Sequence, residues 1–271
     1  MSREDIKGAV DECLKIDPKK VAEKICSFIK SFIIDGGFNG AVIGLSGGID
    51  SSLTAKLTVE AIGADNVLGL IMPTSTSSEE DVKDAVFMAR RLGIEYEVID
   101  LRNVEKAFWE ICPHAREMPR IPRGNLMARI RMCTLYIHSN SLNRIVVGAG
   151  NKSEILTGYF TKYGDGGVDI LPIGCLYKTQ VRELARYMGI PEKIILKKPS
   201  AGLWIGQTDE DELGISYDLL DKILCGIYDL KLPPKKVAEA LEIDYSHVQH
   251  VMNLMEKSAH KRSLPPIPKL D

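Results

Sequence analysis

The chain has 271 residues, with 35 Lys and Arg against 37 Asp and Glu, so its formal net charge is only -2. At 45% hydrophobic and 27% charged residues it is composed like a globular protein with a substantial core, which excludes the disordered and fibrous classes. Near-neutrality leaves no overall attraction for nucleic acid or anionic membrane, and with no apolar run near the roughly 20 residues a bilayer requires and no signal-like start, a cytoplasmic protein is expected.

In chain order, the first clear element opens at Asp17 as a cap, with Pro18 in the first helical position. Val21, Ile25, Phe28, Ile29 and Phe32 follow at helical spacing up to Asp35-Gly36-Gly37. An apolar run at 41–45, a Gly/Ser turn and a helical stretch at 51–62 then read as strand, tight loop and helix. The pattern repeats with a strand at 67–72, a Pro/Thr/Ser loop, and a helix at 79–92 that Ser77 or Ser78 opens with a capping box. A strand at 96–101, helices at 104–111 and 126–142, and a strand at 144–148 complete the series. Continuous apolar strands alternating with helices predict an α/β fold with a doubly wound parallel sheet, whose ligands bind beyond the carboxyl ends of the strands.

From about residue 203 the sequence reads as helices only, at 216–225, 234–241 and 245–257, before a Pro-rich tail at 264–270 expected to be a surface strap or frayed end. One domain over 1–271 is expected, with a nucleotide-binding core at about 17–200 and a C-terminal helical extension at about 203–271. Cysteines 13, 26, 112, 133, 175 and 225 form no CxxC pair. They read as buried free thiols, without a zinc knuckle or disulfide framework.

Gly44-Leu45-Ser46-Gly47-Gly48-Ile49-Asp50-Ser51 joins the first strand to its helix, so backbone N–H groups and the helix dipole converge there on an anion. A Walker loop would carry a lysine here, and none is present. The loop carries Asp50 instead, which is compatible with phosphate only across a divalent cation, so Asp50 reads as a Mg²⁺ ligand. The SGGxDS pattern resembles the loop of the ATP pyrophosphatase superfamily, which implies cleavage of ATP between its α and β phosphates.

The second dense region opens at Gly148-Ala149-Gly150. It mimics the dinucleotide fingerprint, but Ser153 stands at the third glycine and no acid-ended second strand follows, so a nicotinamide oxidoreductase is disfavoured. The stretch GNKSEILTGYFTKYGDGGVDILPIGCLYKTQVRELA closely resembles the ammonia-dependent NAD synthetases, and the resemblance runs from Asp17 to His260-Lys261-Arg262. It implies a Rossmann-like subunit of the adenine nucleotide alpha hydrolase type, assembled as a homodimer. The implied reaction is ATP- and Mg²⁺-dependent conversion of deamido-NAD (nicotinic acid adenine dinucleotide) to NAD through an adenylated carboxylate that ammonia displaces from AMP.

The same resemblance assigns residues. Gly44 to Ser51 become the ATP loop, with Lys178 and Ser200 as further ATP contacts and Asp50 and Glu154 on Mg²⁺. Asp50 and Lys178 carry the catalysis, while Arg129, Lys162, Asp169, His260 and Lys261 hold deamido-NAD. Ala149 departs from the family's usual threonine, at the cost of one side-chain hydrogen bond to ATP. Charge argues in the same direction, because Arg116, Arg120, Arg123, Arg129 and Arg131 cluster around a single acid, Glu117, and guanidinium forks suit phosphate and carboxylate. The glycine-rich segment around Lys162 and Asp169 is expected to close over the hydrolysable adenylate. No glutaminase segment fits before the sheet, so free ammonia is the expected nitrogen donor. A helix-turn-helix reading of 234–248 is the rival, but 248–256 lacks the phosphate-reading charges of a recognition helix, and no nucleic-acid partner is expected.

Overall fold

The strands β1 (Ala41–Gly44), β2 (Val67–Ile71), β3 (Glu95–Val98) and β4 (Ile145–Val146) form a parallel sheet of order β3-β2-β1-β4 in the computed structural model, which describes residues 2–270 except 113, 115–117 and 205. Arg116 and Glu117 of the arginine-rich stretch therefore lie outside the described residues. Ala41 pairs with Val67 on one side and with Ile145 on the other, so the strand order reverses beside β1. That reversal opens a crevice at the carboxyl ends of β1 and β4.

Helix α1 (Arg3–Leu14) precedes the elements foreseen from sequence. α2 (Pro18–Lys30), α3 (Ile49–Ile62) and α4 (Glu79–Leu92) cover one face of the sheet, where Ile25, Ile29, Leu53, Leu57 and Met88 pack on the strands. α5 (Arg102–Ile111) and α6 (Arg120–Leu142) cover the other, with Met127 and Ile130 against Val42, Leu68 and Leu70. Burial from both sides is why β1 and β2 are apolar at nearly every position, while edge strand β3 tolerates Glu95 and Glu97.

α7 (Lys152–Thr157) follows β4, and α8 (Lys178–Tyr187) returns to the first face through Val181 and Leu184. After the short helices α9 (Glu192–Ile195) and α10 (Asp209–Leu213), a second core forms from α11 (Tyr217–Leu224), α12 (Pro234–Leu241) and α13 (Tyr245–Lys257). Val10 of α1 is fully buried in that core. The tail is exposed, with Leu264 at 89% and Ile267 at 85% accessibility.

Several boundaries differ from the periodicity reading for physical reasons. The first expected helix widens after Lys30 into a single π turn, Ser31–Asp35. α6 begins at Arg120, well before residue 126, because Pro122 falls in the first turn, where no N–H partner is needed. Beyond Val98 the chain still runs alongside β2, with Ile99 N–H donating to Ile71 O at 2.8 Å, although β3 has ended.

The cysteine expectation is corrected. Cys13 and Cys225 are joined in a disulfide, their Cα atoms 6.8 Å apart, because α1 folds back on the segment that follows α11. The partners stand 212 residues apart, so no local spacing announces the pair. Of the free cysteines, Cys26 and Cys112 are half-buried, whereas Cys133 and Cys175 are exposed.

Candidate active site

Where β1 ends, Leu45 N–H still pairs with Leu70 O at 2.9 Å, and the chain then turns through Ser46, Gly47 and Gly48 into α3. Gly47 has φ +80°, and a Cβ there would collide with the Asp81 carbonyl oxygen, so glycine is required. The Ser46 and Ser51 hydroxyls lie 3.0 Å apart, and those of Ser51 and Ser52 donate to Gly48 O at 3.2 and 2.8 Å. These bonds stiffen the loop. Gly48 provides α3 with no side-chain cap, which leaves the N–H groups of the first turn available to an anion.

A cavity of about 700 Å³ opens over this turn, a size suited to a small-molecule substrate. Gly44, Leu45, Ser46, Gly48, Ile49, Asp50, Ser51, Glu154, Lys178, Ser200 and Lys261 line it, together with Ala149. Gly47 backs onto Asp81 instead.

The charged centre comes from three helices. Lys178, the first residue of α8, is only 2% exposed, and its Nζ lies 2.5 Å from Asp50 Oδ2 and 3.5 Å from Glu154 Oε1. Asn151 holds this set together. As N-cap of α7 its side chain accepts from Glu154 N, its own N–H donates to Glu154 Oε2 at 3.1 Å, and its Nδ2 donates to Asp50 Oδ1 at 3.0 Å. The Tyr217 ring lies 5.2 Å from Lys178 Nζ, and its hydroxyl donates to the buried Asp209 at 3.0 Å. Asp209 Oδ1 has no hydrogen-bond partner among the described residues.

Acids thus outnumber the lysine. Burial, then repulsion from Asp50, pushes the Glu154 carboxyl well above the usual carboxylate range, and burial likewise raises Asp209. Burial alone would pull the Lys178 ammonium down, but attraction to Asp50, Glu154 and Asp209 outweighs it and holds Lys178 above its ordinary value. Lys178 therefore acts as a fixed positive charge and not as a proton acceptor near neutrality. Clustered hard oxygen donors in excess over one cation also fit a divalent ion such as Mg²⁺, which takes one or two carboxylates and fills the rest of its shell with phosphate and water.

Sequence reasoning named Asp50, Glu154 and Lys178, and they converge. It passed over Asn151, although Asn followed three residues later by Glu is a capping-box signal. Asp209 had no signal, since an acid at a helix start reads equally well as dipole compensation. Arg131 was counted in the basic cluster but not chosen. It lines the cavity, donating from Nε to Met72 O at 3.2 Å and from Nη2 to the Thr74 and Ser77 hydroxyls at 3.3 and 3.4 Å. Arg123 pairs with Glu105 at 3.1 Å and lies over Trp109.

Arg129, Lys162, Asp169 and His260 do not line the cavity. Arg129 donates to Lys162 O at 3.1 Å and Lys162 Nζ to His260 O at 2.6 Å, so these three form a chain beside it. Asp169 accepts from Tyr136 hydroxyl at 2.9 Å and Val146 N–H at 2.7 Å, which pins the glycine-rich segment to β4. Lys261 Nζ donates to the Gly158 and Phe160 carbonyls at 2.7 and 2.6 Å. The segment expected to close is thus fastened at both ends in this conformation.

The family profile described as NAD synthase matches residues 21–265. An NH(3)-dependent NAD(+) synthetase of Methanosarcina acetivorans is 50% identical over 94% of this chain and 100% of its own length, and that of Pyrococcus horikoshii is 51% identical over 92% and 94%. Among solved structures, an NMN synthetase from Francisella tularensis superposes with a TM-score of 0.82 at 36% identity, over 94% of this chain and 100% of that one. The NH3-dependent NAD synthetase from Campylobacter jejuni, in complex with the nitrate ion, superposes at 0.79 with 34% identity over the same shares.

Proposed function

Because the chain belongs to the NAD synthase family, we infer that it is a ligase that amidates nicotinic acid adenine dinucleotide to NAD, using ATP and free ammonia and releasing AMP and pyrophosphate. The observation that carries this reading is the cluster of Asp50, Glu154 and Lys178 beside an uncapped helix start at the sheet's switch point. A carboxylate oxygen of the pyridine ring attacks the α-phosphorus, the bond to the bridging oxygen breaks, and pyrophosphate leaves. Ammonia then attacks the acyl carbon, AMP departs with the bridging oxygen, and the surplus proton goes to solvent.

We assign ATP to Gly44–Ser51, Lys178 and Ser200, and deamido-NAD to Arg129, Lys162, Asp169, His260 and Lys261. Lys178 supplies a permanent positive charge to stabilise the negative charge that builds on the departing pyrophosphate, and the loop N–H groups orient the triphosphate. Asp50 and Glu154 would hold Mg²⁺, which when bound supplies charge neutralisation to the departing pyrophosphate. The chain acts as a single domain in a cytoplasmic homodimer, with the helical extension completing the wall behind Lys178.

The test is an end-point assay with deamido-NAD, ATP, Mg²⁺ and ammonium, expected to yield NAD, AMP and pyrophosphate in equal amounts. Nicotinic acid mononucleotide, run in parallel because one relative is an NMN synthetase, is expected to be the poorer acceptor. Absence of pyrophosphate release with either acceptor refutes the assignment. Sedimentation of the purified chain, expected at twice the monomer mass, checks the dimer.

A further inference from the structure

Glu154 and Lys178 stand on different helices, yet Lys178 Nζ and Glu154 Oε1 are brought within 3.5 Å of each other. A buried hydrogen-bonded junction ties those helices together. Ser153 hydroxyl donates to Asp221 Oδ1 at 2.5 Å while its oxygen accepts from Lys178 N–H at 3.0 Å, and Thr179 N–H donates to Asp221 Oδ2 at 2.9 Å. Ser153 and Asp221 are both fully buried. Asp221 is remote in sequence, on α11 of the helical extension, one turn beyond Tyr217, whose ring backs the Lys178 ammonium.

We propose that Asp221 is a positioning residue for the amidation chemistry: its two carboxylate oxygens lock the first turn of α8 to α7, and so aim Lys178 at Asp50 and Glu154. The inference rests on the reading of Lys178 given above. Three features favour positioning over general stabilisation. Both bonds land within one residue of Lys178 or Glu154, on the main chain or through a single bridging hydroxyl. The carboxylate meets the first turn of α8, where the bonds from Ser153 and Thr179 oppose the burial that raises its pKa. A neutral apolar side chain of similar size would fill the same space but leave the Thr179 N–H and the Ser153 hydroxyl proton without their acceptor, and so loosen the contact nearest Lys178. A displacement of about 1 Å in a catalytic group costs on the order of 100-fold in rate.

The experiment compares Asp221→Ala, Asp221→Asn, Ser153→Ala and Lys178→Ala in pyrophosphate release, with kcat expressed per folded molecule and measured well below each variant's melting temperature. Asp221→Ala is expected to lower kcat roughly 30- to 100-fold, with KM for ATP held within about threefold because the phosphate loop lies outside the junction. Asp221→Asn keeps the acceptor for Thr179 N–H but presents an NH₂ donor where the Ser153 hydroxyl needs an acceptor, and is expected to recover part of that loss. Ser153→Ala removes the bridge alone and is expected to lose about tenfold in kcat, which keeps the test open if Asp221→Ala does not fold. If Lys178→Ala is inactive while Asp221→Ala and Ser153→Ala keep full kcat and lose only melting temperature, the positioning role is overturned. It is also overturned if Asp221→Asn is as impaired as Asp221→Ala. Full activity of Lys178→Ala would instead overturn the reading of the site itself.

Discussion

Lys178 is a cation enclosed by acids, and that enclosure determines what it can contribute. Held above its ordinary pKa by Asp50 and Glu154, it stays protonated throughout the physiological range and can offer only charge. Replacing it with Met is expected to reduce kcat about 100- to 1000-fold, as loss of a charge-stabilising donor does elsewhere. Lys178→Arg is expected to fail as a rescue, because a slot that leaves the side chain 2% exposed has no room for a wider planar head. Asp50→Asn tests the partner. The amide oxygen can still accept from Lys178, but its NH₂ then faces Asn151 Nδ2, so the variant is expected to fold with a lowered melting temperature, while pyrophosphate release falls at least tenfold and no longer responds to added Mg²⁺. A variant that kept its Mg²⁺ response would remove Asp50 from the metal assignment.

The loop between β1 and α3 and the ion pairs that brace α4 behave as elements, and their chemistry separates what sequence can announce from what it cannot. Gly47→Ala is expected to cost roughly 1–3 kcal/mol, from a positive φ and from collision with the Asp81 carbonyl. Gly48→Ala should cost far less, because at φ -90° its Cβ meets only the Ser46 hydroxyl at 3.3 Å. Urea denaturation of the two variants measures the contrast. On α4, Asp84 accepts from Lys193 at 2.6 Å and Lys197 at 2.9 Å. Burial raises its pKa, but those bonds outweigh it, so its folded value lies below its ordinary one. Such a group adds stability above the unfolded pKa and loses it as pH falls through the folded one. Asp84→Asn is therefore expected to destabilise by about 1–3 kcal/mol at pH 7 and to approach the parent below about pH 4. An equal deficit at both pH values would refute this. The glycine loop was legible because turn, strand and helix signals adjoin within a few residues, Asp50 was legible as a carboxylate in a phosphate loop, and Glu154 came only through the resemblance. The junction at Asp221 was not, since Ser153 lies 68 residues from its acceptor and an acid on an amphipathic helix looks like any solvated one.

At the scale of the whole molecule, the helical extension is bound to the nucleotide-binding core at the junction of α7, α8 and α11, and to the start of the chain through α1. The second tie includes a covalent bond, since Cys13 and Cys225 close a loop of most of the chain. Alongside it, Lys152 Nζ pairs with Asp229 at 2.7 Å, and Tyr177 hydroxyl donates to the same carboxylate at 2.8 Å. Asp229, four residues beyond Cys225, therefore holds the first residue of α7 and the N-cap of α8. In the chain-entropy account a cross-link over so long a loop stabilises by up to about 5 kcal/mol, with measured values commonly about 2–4 kcal/mol. For a chain of this length that corresponds to a fall of roughly 3–9 °C in melting temperature when the bond is reduced. Calorimetry with and without a thiol reductant measures the shift. Cys13→Ser should melt at the reduced parent's temperature and be indifferent to reductant. The cavity residues themselves do not touch the disulfide, so kcat at moderate temperature is expected to be unchanged by reduction while α1 remains docked through Val10. Equal melting temperatures for parent and Cys13→Ser under oxidising conditions would mean that packing of α1 alone, and not the bond, holds the two ends of the chain together.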